Sequence, residues 1–369
     1  MSRNSITDEM YQRGLIQGNN YRVKQFINKL KSGEAVTYGA IGGSITQGAA
    51  ASEPKYRYVD LLAARLSNKY NNEVKVVNAG IGASNSLFGV FRCRKDLLSY
   101  RPDLITVEYA VNDISNPDIS ASYEALVRKC LELSPSAAVV LIFTMRLDGE
   151  NKQHLQIPIG KHYQVPMLSY RDAVYPLVIN GELEWRDISP DMVHPNDYGQ
   201  NMIAEMLERL ITQCDKSPAD NQVSIPGYLE PDAKKYENPA ILDATQMNVV
   251  SQSGWTQGPH KAGYTGWQSS APGATMEIKF SGTFAAIGSQ QYSGDFGRIY
   301  LTLDDNQPIV IEGYFTKMKN NEWAGGHTVI TILDDNLPPG EHTIKLTLLE
   351  EKHPDSNGHM FDIGYLLCT

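Results

Sequence analysis

Gly42-Gly43-Ser44-Ile45-Thr46-Gln47-Gly48 is a serine held in a tight glycine turn, and far downstream the same segment carries Asp191-Met192-Val193-His194-Pro195. A hydroxyl is a poor nucleophile at neutral pH. It needs an imidazole to take its proton and a carboxylate to hold that imidazole in the right tautomer. Ser44, His194 and Asp191 supply those three groups, so the pairing points to serine hydrolysis.

The pattern around the turn supplies a scaffold for it. Residues 20–32 place apolar groups at helical spacing and stop at Gly33, after which a first strand runs into the serine turn. Residues 74–78, 104–109 and 138–144 read as further buried strands, separated by helical stretches near 57–69, 85–99 and 120–133. Alternation of this kind predicts an α/β fold, a parallel sheet covered on both faces. The ligand crevice of such a sheet lies beyond the carboxyl ends of its strands. Ser44 follows the first predicted strand, Gly80 to Ala83 the second and Asn112 the third, so three turns converge on one edge. The Asp191/His194 loop precedes a last amphipathic helix near 198–213 and reaches the same edge.

The chain of 369 residues is long for one core, at roughly 150 residues per domain. After Cys214, a turn-rich stretch from Ser217 to Gly227 leads into segments of two-residue periodicity such as Thr275–Phe280, Arg298–Leu303 and His342–Leu348. The expected division is residues 1–215 as the α/β domain, 216–239 as a linker and 240–369 as an antiparallel β-sandwich of jelly-roll type. Asp304-Asp305-Asn306 and Asp334-Asp335-Asn336 read as hairpin turns in preference to calcium ligands, and Trp255 and Trp267 as core.

Composition narrows the partners. Hydrophobic residues are 41% and charged residues 20%, which suits a globular chain, and a net charge of -9 argues against nucleic acid or an anionic membrane. The N-terminal residues lack the apolar run of a signal peptide, and the four scattered cysteines read as free buried thiols, so a cytoplasmic location is expected. No cofactor is implied, and without clustered His and Cys the pattern opposes catalytic zinc; His154, His162 and His260 have no ligand spacing.

When Ser44 attacks a carbonyl, donors aimed at the developing oxyanion supply the largest stabilisation. The candidates are the backbone N–H of Ser44 itself, the glycine turn Asn78-Ala79-Gly80-Ile81-Gly82-Ala83 and the side-chain amide of Asn112. These four ordered blocks resemble those of the SGNH/GDSL hydrolase superfamily over roughly the first 215 residues. The resemblance implies a flavodoxin-like three-layer α/β/α sandwich, with Ser44 as nucleophile, His194 as general base, Asp191 orienting it, and Asn112 plus a second-block N–H as oxyanion hole. The family's Gly-Asp-Ser reads Gly42-Gly43-Ser44 here, and its Gly-x-Asn-Asp reads Ala110-Val111-Asn112-Asp113. Its oxyanion glycine is Ala83, which serves if the local φ is negative; otherwise Gly82 takes the role.

These departures, and an appended sandwich similar to a carbohydrate-binding module, resemble the two-domain acetyl-mannan esterases. The resemblance implies a carbohydrate O-acetylesterase acting on plant cell-wall glycans, with acetylated mannan or manno-oligosaccharides (2-O-acetyl mannose) ahead of xylan. Trp323, in a polar glycine-bearing loop, is expected to fold over the crevice and clamp the glycan by stacking on a sugar face. Two other readings stand beside it. A lipase or thioesterase would carry a greasy lid, which the helices do not show, and a non-catalytic glycan-binding protein would not need the complete Ser44, Asn112, Asp191 and His194 set.

Overall fold

The computed structural model describes residues 6–316 and 325–369, and the chain divides into two compact units, Met1–Lys234 and Lys235–Thr369. In the first unit the strands are β1 (Leu15–Ile16), β2 (Val36–Gly42), β3 (Val74–Gly80), β4 (Leu104–Glu108), β5 (Ala138–Phe143) and β6 (Met167–Ser169). They form one sheet in the order β1-β6-β5-β4-β2-β3. Strands β2 to β6 are parallel and β1 is an antiparallel edge. Counted from β2, this is the flavodoxin-like order 2-1-3-4-5, whose ligand site lies where β2 and β4 part company. The central strands Leu-Ile-Thr-Val-Glu and Ala-Val-Val-Leu-Ile-Phe are buried along their whole length, as strands covered on both faces must be.

The helices are α1 (Asp8–Gly14), α2 (Tyr21–Ser32), α3 (Ser44–Gln47), α4 (Tyr58–Tyr70), α5 (Ser86–Asp96), α6 (Ile119–Leu133), α7 (Gln153–His162), α8 (Tyr170–Ile179), α9 (Trp185–Ile188) and α10 (Asp197–Lys216). Helix α2 buries Val23, Phe26, Ile27 and Leu30, the stripe the sequence predicts, and ends on Gly33 at φ +76°. Helices α7 and α8 escaped the sequence pattern. Each holds an internal proline, Pro158 or Pro176, which withholds an N–H and reads as a breaker. The two-residue β1 is too short to show any period.

The turn-rich stretch after α10 is bonded along the α/β unit. Asp220 and Asn20 exchange backbone and side-chain bonds of 2.7 and 2.9 Å, Arg128 donates to Pro226 O at 2.6 Å, and Arg128 also lies 4.3 Å over the Tyr228 ring. Buried Glu124 accepts the N–H groups of Leu229 and Glu230 at 2.7 and 2.6 Å.

The second unit has two antiparallel sheets. Its strands are β7 (Ala240–Leu242), β8 (Asn248–Ser253), β9 (Thr256–Pro259), β10 (Thr265–Ser269), β11 (Thr275–Gly282), β12 (Ala285–Tyr292), β13 (Arg298–Leu303), β14 (Ile309–Glu312), β15 (Gly325–Asp334), β16 (Gly340–Leu348) and β17 (Phe361–Cys368). One sheet runs β15-β12-β17-β10-β9 with β7 on β17, the other β14-β13-β16-β11-β8. Ile278, Ile299, Ile344 and Leu346 from one sheet share a core with Ile287, Phe361, Ile363 and Leu366 from the other. Trp255 is in that core and Trp267 packs against it. The acidic turns are engaged within the fold: Asp304, at φ +50°, pairs with His342 at 2.7 Å, Asp334 accepts Asn336 N–H, and Asp335 pairs with Lys235. No helix among the described residues is long and apolar enough to cross a membrane.

Candidate active site

Three strands end level with one another. Gly42 at the end of β2 pairs with Gly80 of β3 on one side and Glu108 of β4 on the other. The turns that follow therefore leave the sheet at the same height, and Ser44, Gly82 and Asn112 come off adjacent exits. Ser44 opens the short helix α3, buried beside the sheet.

The two glycines before it each yield space to one neighbour. A Cβ on Gly42 would lie 2.1 Å from Thr46 Oγ1, and a Cβ on Gly43 would lie 2.1 Å from Asn112 Oδ1. Thr46 thus folds back beneath the turn, and the Asn112 amide packs directly on the Gly43 backbone. Asn112 Oδ1 is buried without a hydrogen-bond partner among the described residues, which leaves Nδ2 as the end able to donate.

The Asp191/His194 loop joins α9 to α10. His194 Nε2 is 2.8 Å from Ser44 Oγ, and its Nδ1 is 2.7 Å from Asp191 Oδ2. With Asp191 ionised, both bonds form only if Nδ1 donates to the carboxylate and Nε2 accepts from the serine. Asp191 Oδ1 also accepts the N–H groups of Val193 and His194, both at 2.7 Å. Burial works to raise the Asp191 carboxyl, but these bonds and the His194 ring outweigh it and hold the group below the usual carboxylate range. The loop is anchored from beneath. Trp185 Nε1 donates to Asp191 O at 2.5 Å, Leu147 N–H donates to Met192 O at 2.9 Å, and Ser189 Oγ lies within 2.9 Å of Asp191 O and 2.7 Å of His194 O.

Ala83 has φ +55°, so the condition for its N–H to serve is not met and the candidate donor becomes Gly82. The Gly82 Cα faces Ser44, since a Cβ there would be 3.7 Å from Ser44 Cβ. Trp323 lies outside the described residues.

Buried polar residues that sequence reasoning passed over support this constellation. Asp113, next to Asn112, accepts Ser86 N–H at 2.8 Å and Gln156 Nε2 at 2.7 Å, tying the Asn112 turn to α5 and α7. Burial pushes its carboxyl up to about 6 against those bonds. Arg92, fully buried on α5, donates to Gly42 O at 3.2 Å, to Tyr109 OH at 2.8 Å and to Asp96 at 3.1 Å. Glu108 is fully buried at the strand end, with Thr144 Oγ1 at 2.6 Å and Thr46 Oγ1 at 3.3 Å. The signal for Glu108 was present: a lone acid inside the apolar run Leu104–Tyr109.

Residues 40–202 match the GDSL-like Lipase/Acylhydrolase family. Over the whole chain the fold is similar to a crystal structure of a two-domain esterase (CEX) active on acetylated mannans, with 25% identity, a TM-score of 0.86, and coverage of 97% of this chain and 98% of that one. A crystal structure of that esterase co-crystallised with mannopentaose gives 25% identity and a TM-score of 0.86, over 97% of each chain. A comparison with curated proteins found no match. The α/β unit is a GDSL-like lipase/acylhydrolase domain. The protein that carries it is an esterase.

Proposed function

We propose that this protein is a carbohydrate O-acetylesterase that deacetylates mannan-derived oligosaccharides through an acetyl-enzyme. The observation that carries the mechanism is the unbroken line Asp191–His194–Ser44, with bonds of 2.7 and 2.8 Å. Likeness to a mannan-active esterase along both units supports the substrate class.

In this reading Ser44 Oγ attacks the acetyl carbonyl carbon while His194 Nε2 takes the hydroxyl proton. The carbonyl electron pair moves onto oxygen, where Asn112 Nδ2 and the backbone N–H groups of Ser44 and Gly82 receive it. Collapse of that adduct expels the sugar oxygen, which His194 protonates. Water then gives a proton to His194 and its oxygen to the acetyl carbon; acetate leaves and Ser44 regains its proton. Asp191 holds the imidazole in place and stabilises its charge throughout.

The test is acetate release from acetylated mannan, xylan and pectin, alongside aryl acetate and aryl decanoate, by the native protein and Ser44→Ala. Acetate from mannan with a silent variant is the expected result. Cleavage of the decanoate alone would refute the carbohydrate reading, and an active Ser44→Ala would refute the nucleophile.

A further inference from the structure

We propose that Glu108 is a positioning residue for Ser44: its buried carboxyl holds the nucleophile helix to the end of β5, and its ionisation lowers turnover. The inference rests on the nucleophile assignment made above.

The geometry is a relay of hydroxyls under the serine turn. Thr144, just past β5, donates to Glu108 Oε1 at 2.6 Å. Thr46, two residues after Ser44 in α3, meets Glu108 Oε2 at 3.3 Å, and its Oγ1 is also 2.9 Å from Tyr58 OH on α4. All four side chains are buried. Gly42 makes this possible, since any Cβ there would occupy the space of Thr46 Oγ1. Each hydroxyl has one proton, so the relay has two directions. With Glu108 neutral, its proton goes to Thr46 and that of Thr46 to Tyr58; with Glu108 ionised, Tyr58 donates to Thr46 and Thr46 to the carboxylate.

Burial favours the neutral form against the groups bonded to it. The Glu108 carboxyl meets the Thr144 and Thr46 hydroxyls and the Gly43 backbone N–H, and the other titratable groups around it are Tyr58 on α4, Asp113 beyond β4 and Tyr123 on α6. The Arg92 cation of α5 is engaged with Asp96, Tyr109 OH and Gly42 O. Burial, aided by the Asp113 charge and opposed by the threonine hydroxyls and the Gly43 N–H, raises the Glu108 carboxyl to about 7. An ionised Glu108 then places a negative charge beneath the site where the oxyanion forms, against the sense of charge that the reaction needs.

The experiment is the pH dependence of kcat and KM on an aryl acetate for the native protein, Glu108→Gln, Glu108→Ala and Thr46→Val, with Ser44→Ala as the blank. A silent Ser44→Ala shows that the nucleophile reading holds whatever the other variants do. Native kcat should then fall on the alkaline side through one ionisation that Glu108→Gln lacks and Thr46→Val retains. Glu108→Ala and Thr46→Val should each lose at least ~10-fold in kcat with KM nearly unchanged, because a small misplacement of a nucleophile costs turnover before binding. Glu108→Gln should recover most of the alanine loss. If Glu108→Ala fails to fold, Thr46→Val and the Glu108→Gln profile decide. A Glu108→Gln profile identical to native, or a Thr46→Val with native kcat, would overturn the proposal.

Discussion

Replacing Gly43 by alanine tests whether one glycine exists to seat Asn112, the oxyanion donor of the proposed mechanism. The backbone at Gly43 has φ -86°, so no left-handed strain is involved. The three atoms nearest an added Cβ all belong to the Asn112 amide, at 2.1, 2.6 and 2.9 Å. Ordinary contact begins near 3.4 Å, so Oδ1 must retreat by about 3.4 − 2.1 = 1.3 Å. A displacement of about 1 Å at a catalytic group can cost ~100-fold, and loss of an oxyanion donor costs ~100- to 1,000-fold. Gly43→Ala should therefore lower kcat by roughly 100-fold, equivalent to ~2.7 kcal/mol of transition-state stabilisation, with little change in KM. The assay is steady-state hydrolysis of an aryl acetate by Gly43→Ala, Asn112→Ala and the double variant, with thermal unfolding to confirm that each is folded. If the glycine acts through Asn112, the double variant is no slower than Asn112→Ala alone. Multiplicative losses, or a Gly43→Ala enzyme near native turnover, would refute this account.

Ser189→Ala removes the hydroxyl beneath Asp191 O and His194 O and should lower kcat ~10-fold while leaving KM in place; an equal rise in KM would show a role in binding instead. Asp113 keeps a proton in the folded state that the unfolded chain releases, so native stability falls as pH rises from the ordinary aspartate value of 3.8 to about 6, by up to ~1.36 kcal/mol per pH unit. Asp113→Asn should flatten the dependence of Tm on pH in that window, and an unchanged slope would contradict the raised carboxyl. His342 has the opposite sign: its hydrogen bond to Asp304 raises it above 6.5, so the stability it lends is complete below that value and drains as pH climbs through the folded one. The Tm difference between native and Asp304→Asn should accordingly shrink from pH 6 to pH 9, and a constant difference would show that the pair does not titrate.

The fold was legible where burial imposes a pattern. Leu104–Glu108 and Ala138–Phe143 are apolar throughout because both faces of the sheet are covered, and α2 and α10 show their stripe because only one face is. What stayed hidden was set by tertiary contact. Leu15–Ile16 is a strand only because Met167 and Leu168 lie alongside it, and α7 and α8 tolerate prolines that local propensity would refuse. The same division runs through the site. Ser44, Asp191, His194 and Asn112 sit in compact motifs, and the structure places His194 within hydrogen-bond reach of both Ser44 and Asp191. The positive φ of Ala83 is a property of the folded turn, which the residue identity does not announce, and the relay through Glu108 depends on three hydroxyls from separate elements.

The bonding of residues 218–230 decides how short a self-sufficient catalytic fragment can be. A polypeptide cut at Cys214, where regular helical patterning stops, would strip Glu124 of two N–H donors and leave Tyr163 OH, at 2.6 Å, as the remaining partner. Hydrogen bonds to a charged group typically contribute ~1.5–3 kcal/mol each, so the shortened unit loses stability. The smallest fragment expected to fold alone therefore extends through Glu230, and a protease seeking a clean separation should find its site past that residue, ahead of the first sandwich strand at Ala240.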